Sequence, residues 1–220
     1  MNIDEEVREF TQKMWLDDDP LPWMFAKEVY DYWGKNGLLH VSELHGRSHA
    51  DNVMILVRAI SKKLGELKDS DDGSQNNYNK LDTIILACAA MWHDVGRVDD
   101  SDDLEHGNKG VAFISDNIKK EYNKKFYEYI DAGLSKILNV MGQPNLYVAI
   151  YKQLPKILQC VKVHCDDSMG DGIYEKILKD ADKLDRFRIE IQGPPPDSLA
   201  LDVSRDDMIV FLARLINNRV

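Results

Sequence analysis

The segment Leu81–Trp92 (LDTIILACAAMW) is apolar on nearly every face, and His93 and Asp94 follow it directly. A helix that is apolar all round has no face for solvent, so it belongs in the middle of a bundle. The pair at its end then sits at the edge of a core, where an unpaired carboxylate is costly. A divalent cation would relieve that cost, because imidazole nitrogen and carboxylate oxygen are both good metal ligands. The competing reading is a helix-end pair whose carboxylate faces solvent, which is the commoner meaning of a bare His-Asp dipeptide.

Helical periodicity dominates the rest of the chain, and few segments alternate apolar and polar, so the expected fold class is all-α. An aromatic-rich opening (Trp15, Trp23, Phe25, Tyr30, Tyr32, Trp33) suggests two short helices broken near Pro20 and Pro22. Ser48, with Asp51 three residues on, suggests a variant capping box. The helix it opens would bury Ala50, Val53, Met54, Val57, Ile60 and Leu64, with His49 in its first turn. Asp69–Lys80 is polar and reads as an exposed loop, and Gly96 as a helix stop. An acidic loop (Asp99, Asp100, Asp102, Asp103, Glu105) precedes His106. Phe126, Ile130, Leu134, Ile137, Leu138 and Met141 mark an amphipathic helix ended by Gly142 and Pro144. Pro155 is expected to break or kink the next helix, after which Ile157, Val161 and His164 share one face. Asp182 stands four residues after Leu178, close to an inward face. GPPPDS breaks the chain, and a last helix would use Met208, Phe211, Leu212 and Leu215.

Composition narrows the function. A length of 220 residues suits one domain with a sizeable core. The net charge is −10, which disfavours nucleic-acid polymers and anionic membranes as partners. No apolar run is long enough to span a bilayer, and the acidic, polar N-terminus does not read as a secretory signal. Three cysteines (Cys88, Cys160, Cys165) without framework spacing suggest free thiols and a cytoplasmic location. A homodimer is compatible with all of this.

The His-Asp pair is not alone. His49 precedes it, and Asp182 follows within KILKDADKLD. The segments HGRSHADNV, MWHDVGR, HGNKGVAF and KILKDADKLD, in this order from about Leu44 to Arg188, resemble the motifs of the HD superfamily of metal-dependent phosphohydrolases. The resemblance implies a single-domain HD-type helical bundle. Residues 1–43 would be a helical segment packed on the core, 44–190 the metal-dependent hydrolase core, and 191–220 a Pro-rich break and final helix of the same domain.

The resemblance also implies roles. His49, His93, Asp94 and Asp182 would hold one divalent ion (Mn, Fe, Co, Ni, Zn or Mg). His106 and His164 match positions that in some branches hold a second, with Asp94 bridging. For His106 a solvent-facing loop histidine stays open, and for His164 a hydrogen-bonded core histidine. His45, four residues before His49, resembles the proton donor of the cyclic-nucleotide phosphodiesterases, with a plain surface histidine as the alternative. An ion that acidifies its water would supply the nucleophile for a small phosphorylated substrate, a nucleotide first of all. Arg97, Lys183 and Arg186 are the candidate phosphate clamps, Arg97 foremost. The Gly-Tyr-Pro signature of the cyclic-dinucleotide branch is missing, and Cys165 stands where that branch pairs its histidines. Two other functions use the same residues: a metal-containing nucleotide-binding module without turnover, and a di-iron oxygenase.

Overall fold

The computed structural model describes residues 3–17, 19–40, 42, 44–69, 82–101, 103–121, 146–166, 168 and 170–217. Among them are eight α-helices and no strand, so the fold is all-α. They are α1 (Ile3–Asp17), α2 (Leu21–Lys35), α3 (Arg47–Asp69), α4 (Thr83–Trp92), α5 (His106–Glu121), α6 (Leu146–Val163), α7 (Ile173–Leu184) and α8 (Asp207–Ile216). Short 3-10 turns follow α7 at Asp185–Arg188, Pro196–Ser198 and Asp202–Arg205.

The apolar segment forms α4, and every residue from Ile85 to Trp92 is buried. The Asp82 side chain caps its start by accepting from the Ile84 N–H at 3.0 Å. Helices α2, α3, α6 and α7 pack around α4, which is therefore the axis of the bundle. Trp92 closes the helix with its indole N–H donating to the Ala26 carbonyl at 3.0 Å and its ring 5.4 Å from that of Trp33. These partners of α2 pin the turn that carries His93 and Asp94. Helix α1 packs on α3 and α8, and Asn52 of α3 donates to Asn217 at 2.9 Å, which ties the end of α8 to the core. No described helix is long and apolar enough to cross a membrane.

Several local expectations need correction. Pro20 and Pro22 do mark the start of α2, where a fixed φ and a missing N–H cost nothing, but α1 and α2 are 15 residues each rather than short. Helix α3 begins at Arg47, so Ser48 lies inside it and exposed, and Asp51 accepts from Arg47 Nε at 2.9 Å instead of closing a capping box. Helix α6 runs through Pro155 without a break, with the proline exposed. In α8 the inward residues are Ile209, Leu212 and Ala213, whereas Leu215 is exposed. The polar loop, beyond Asp69 at the end of α3, and the Phe126–Met141 helix lie outside the described residues.

Gly96 ends nothing by its backbone angle. Its role is steric: a Cβ there would lie 2.2 Å from both the Gly110 N and the His106 O. Gly107 has the same constraint against the other neighbour, since a Cβ would lie 2.4 Å from the Lys162 O of α6. Gly107 and Gly110, three apart on α5, thus let that helix close against the turn after α4 and against α6. The HGNKG sequence is what brings His106 inward.

Candidate metal centre

Five parts of the fold send side chains to one place. His49 comes from the first turn of α3, His93 and Asp94 from the end of α4, and His106 from the first residue of α5. His164 follows α6, and Asp182 lies in the last turn of α7. All four histidines are buried, and the Asp94 side chain is only 7% exposed.

Asp94 stands at the centre, and its two oxygens face different groups. Oδ2 lies 3.3 Å from His49 Nε2, 3.5 Å from His93 Nε2 and 2.9 Å from His45 Nδ1. On the same side, Asp182 Oδ1 is 3.2 Å from His49 Nε2 and 3.7 Å from His93 Nε2, and those two Nε2 atoms are 2.9 Å apart. Oδ1 faces the other way, 3.2 Å from His106 Nε2 and 3.4 Å from His164 Nε2. Those two nitrogens are 2.8 Å apart.

Hydrogen positions follow from the partners of Nδ1. His93 Nδ1 meets the Ala90 carbonyl at 2.8 Å, His164 Nδ1 the Val161 carbonyl at 2.7 Å, and His106 Nδ1 the Asp103 carbonyl. A carbonyl only accepts, so each Nδ1 carries the hydrogen and each neutral ring presents a bare lone pair at Nε2. His49 Nδ1 donates to the buried Asp185 carboxylate at 2.7 Å, which leaves its Nε2 aimed at the same cluster. A ring in that tautomer makes His106 Nε2 and His164 Nε2 acceptors beside Asp94 Oδ1, whose one side-chain donor outside the imidazoles is Arg97 Nε among the described residues. A cation satisfies such a group. Bonds of about 2.1 Å at right angles put neighbouring ligand atoms about 3.0 Å apart, which is close to the separations seen here. Ring N–H groups held by carbonyls or carboxylates are also the usual support of metal-binding histidines. The donor set fits a divalent ion: His49, His93 and Asp182 could hold one, and so could His93, Asp94 and His164.

The ionisation of the cluster agrees. Burial would raise the Asp94 carboxyl, but the positive charge that His93 and then His106, His164 and His45 can take up beside it holds it well below the usual carboxylate range. Burial also opposes ionisation of Asp182, and there His49 outweighs it and holds the carboxyl below its ordinary range. Burial lowers His93 to about 4, against the pull of Asp94, so its ring is neutral at physiological pH. For His49 burial acts in the same sense, but hydrogen bonds to Asp182, Asp185 and Asp94 carry its pKa well above the ordinary value. The acceptors around it are thus balanced by a positive charge, either a second proton on His49 or a metal ion.

The remaining sequence candidates fall on both sides of the line. His45 reaches the cluster through Asp94 and is 22% exposed, so it stands at the mouth. Arg97 Nε donates to Asp94 Oδ1 at 2.9 Å, and a second N–H donates to the Ser101 carbonyl. Lys183 does not join them: its ammonium donates to the Ser198 carbonyl at 2.8 Å, because the residue after Asp182 is turned about 100° around the helix. Arg186 is exposed, and among the described residues no contact joins it to the cluster. Cys165 is close enough to His106 and His164 to count among possible metal donors.

Asp185 is the residue that sequence reasoning missed. Its carboxylate is fully buried, holds His49 Nδ1, and is itself held by Asn52 Nδ2 and Arg188 Nε at 2.9 Å each. Its signal lay in DADKLD, where Asp185 is three residues after Asp182 and so on nearly the same helix face.

Residues 46–186 match the HD domain family, more than half of the chain. No curated protein and no solved structure matches it. His49, the His93-Asp94 pair and Asp182 all lie within the matched stretch and meet in space around one carboxylate. The chain belongs to the HD-domain family, most of whose members are metal-dependent hydrolases.

Proposed function

We propose that the protein is a metal-dependent phosphohydrolase that cleaves a phosphoester or phosphoanhydride bond in a small phosphorylated substrate, a nucleotide first of all. One observation carries the proposal: the two oxygens of Asp94 face two separate groups of imidazole nitrogens. Asp94 Oδ2, His49, His93 and Asp182 would hold one divalent ion, and Asp94 Oδ1, His106 and His164 a second. Mn, Fe, Co, Ni and Zn accept such mixed donors, and Mg, which favours oxygen, suits them least. When bound, such ions acidify a coordinated water near neutral pH and neutralise charge on phosphoryl oxygens.

The chain's own residues do the rest. Arg97 steadies Asp94 and keeps N–H groups for a phosphate oxygen, where a guanidinium can bind in bidentate fashion. His45, hydrogen-bonded to Asp94 at the mouth, would give a proton to the leaving oxygen. The net charge of −10 favours a small substrate over a nucleic-acid polymer. The three thiols are unpaired, as a reducing compartment would leave them, and the cytoplasm is the proposed location.

The test is a phosphate-release screen over nucleotides and other small phosphoesters, run with each metal in turn. Release that requires metal and disappears in Asp94→Ala is expected. Oxygen consumption with a visible absorption band and no phosphate would make the protein a di-iron oxygenase. Tight nucleotide binding without turnover in any metal would make it a binding module.

A further inference from the structure

The residues just after Asp94 open into a cavity of about 480 Å³ that the metal chemistry does not use. It lies between the Gly37–His40 loop, the Val95–Val98 turn and the α5 residues Lys109 and Phe113. Its size is in the range of small-molecule pockets. Arg97 belongs to both places: it lines the cavity, and its Nε is hydrogen-bonded to Asp94 Oδ1. A phosphate held at Arg97 therefore has the cavity on one side and the His-Asp cluster on the other.

The lining tells what the cavity would take. Leu38, Leu39, Val98 and Phe113 make its apolar part, with Phe113 braced edge-on against Trp33 at 5.1 Å between ring centres. Leu38 is 45% exposed and Val98 64% exposed, so apolar surface lies open next to a polar centre. The cationic groups of the wall are Arg97 and Lys109, His40 also lines it, and no carboxylate is among the lining residues of a chain whose net charge is −10. Asp103 stands behind, holding the Lys109 ammonium at 2.5 Å. Such a wall suits a ring-sized apolar body attached to an anion. It is poorly suited to a bare sugar, whose hydroxyls would meet leucine, valine and phenylalanine without partners.

We infer that this cavity is the subsite for the organic part of the substrate, and that the substrate is a phosphate ester of an aromatic, ring-sized group such as a nucleoside rather than a sugar phosphate. The inference rests on the phosphohydrolase reading above. Arg97 then marks the border between the phosphate and its carrier. Leu38, Val98 and Phe113 select the carrier.

Binding, not turnover, tests this. The probes are inorganic phosphate and the phosphonate analogues of adenosine 5′-monophosphate and ribose 5-phosphate, in which carbon replaces the scissile oxygen. Each is titrated calorimetrically into the manganese-loaded protein, into the Leu38→Asp/Val98→Asp double variant, and into Met24→Asp, which changes an exposed apolar residue that does not line the cavity. Both cavity positions are exposed, so the double variant is expected to keep its fold, which thermal melting checks. Wild type should prefer the adenosine phosphonate over the ribose phosphonate by about tenfold or more, a difference of about 1.4 kcal/mol. The preference should collapse toward one in the double variant and persist in Met24→Asp. No preference in wild type, or a preference retained in the double variant, overturns the subsite alone. Failure of wild type to bind even inorganic phosphate overturns the phosphohydrolase reading, and the subsite with it.

Discussion

His49 is held from behind by Asp185, whose carboxylate is hydrogen-bonded, among the described residues, to His49, Asn52 and Arg188. The imidazole can aim Nε2 only because Nδ1 is fixed on that carboxylate, and Asn52 and Arg188 fix the carboxylate in turn. Asp185→Asn should therefore weaken metal affinity by about 10–100-fold while leaving every first ligand in place. Competition against a chelator measures this, and an unchanged affinity would show that the hydrogen bond only supports the fold. Arg97→Ala should keep its metal and lose turnover on the order of 100-fold, as removal of one donor to a developing charge does elsewhere. Wild-type kinetics in that variant would reduce Arg97 to a prop for Asp94. At this scale the sequence shows the ligand candidates better than their supports. His49, His93, Asp94 and Asp182 stand out through motif order. DADKLD offers three acids; motif order picks Asp182, and the structure gives the other two their places. Asp180 turns away to accept from the Ala200 and Leu201 N–H groups, Asp182 faces the cluster, and Asp185 backs it. Lys183 is next to a ligand candidate in sequence, yet its ammonium donates to the Ser198 carbonyl.

The site's second half depends on how closely two helices approach. Gly107 sits against the Lys162 carbonyl, and a methyl group there must push α5 off α6. Gly107→Ala should cost about 1–3 kcal/mol of stability, the usual range for overpacking. It should also lower metal stoichiometry, because His106 and His164 are carried on the two surfaces being separated. Denaturant titration together with metal analysis checks both effects. Loss of stability with full stoichiometry would mean that the bundle absorbs the shift elsewhere. Helix α4 was legible because an all-apolar segment has one place to go, and the structure puts it there. The start of α3 was not, because Asp51 can either cap the backbone or pair with Arg47, and that choice is made by side chains outside the motif: Arg47 is also paired with Asp31 of α2. Nor was the course of α6 through Pro155, since a proline inside a helix is tolerated where its ring can face solvent.

Across the whole molecule, a strongly acidic chain gathers four histidines and two aspartates at the end of its most apolar helix. The ligand candidates span His49 to Asp182, so no local segment holds the site and the bundle must form for it to exist. Periodicity can say which faces turn inward but not that Asp94 presents one oxygen to each of two groups, a fact that depends on distances across five elements. The decisive measurement is therefore metal stoichiometry, by elemental analysis of protein titrated with manganese, in wild type and in His106→Ala, His164→Ala and Asp94→Ala. Two ions per chain in wild type, one in each histidine variant and none held tightly in Asp94→Ala is the predicted result. No bound metal in wild type, or full occupancy without Asp94, would contradict it.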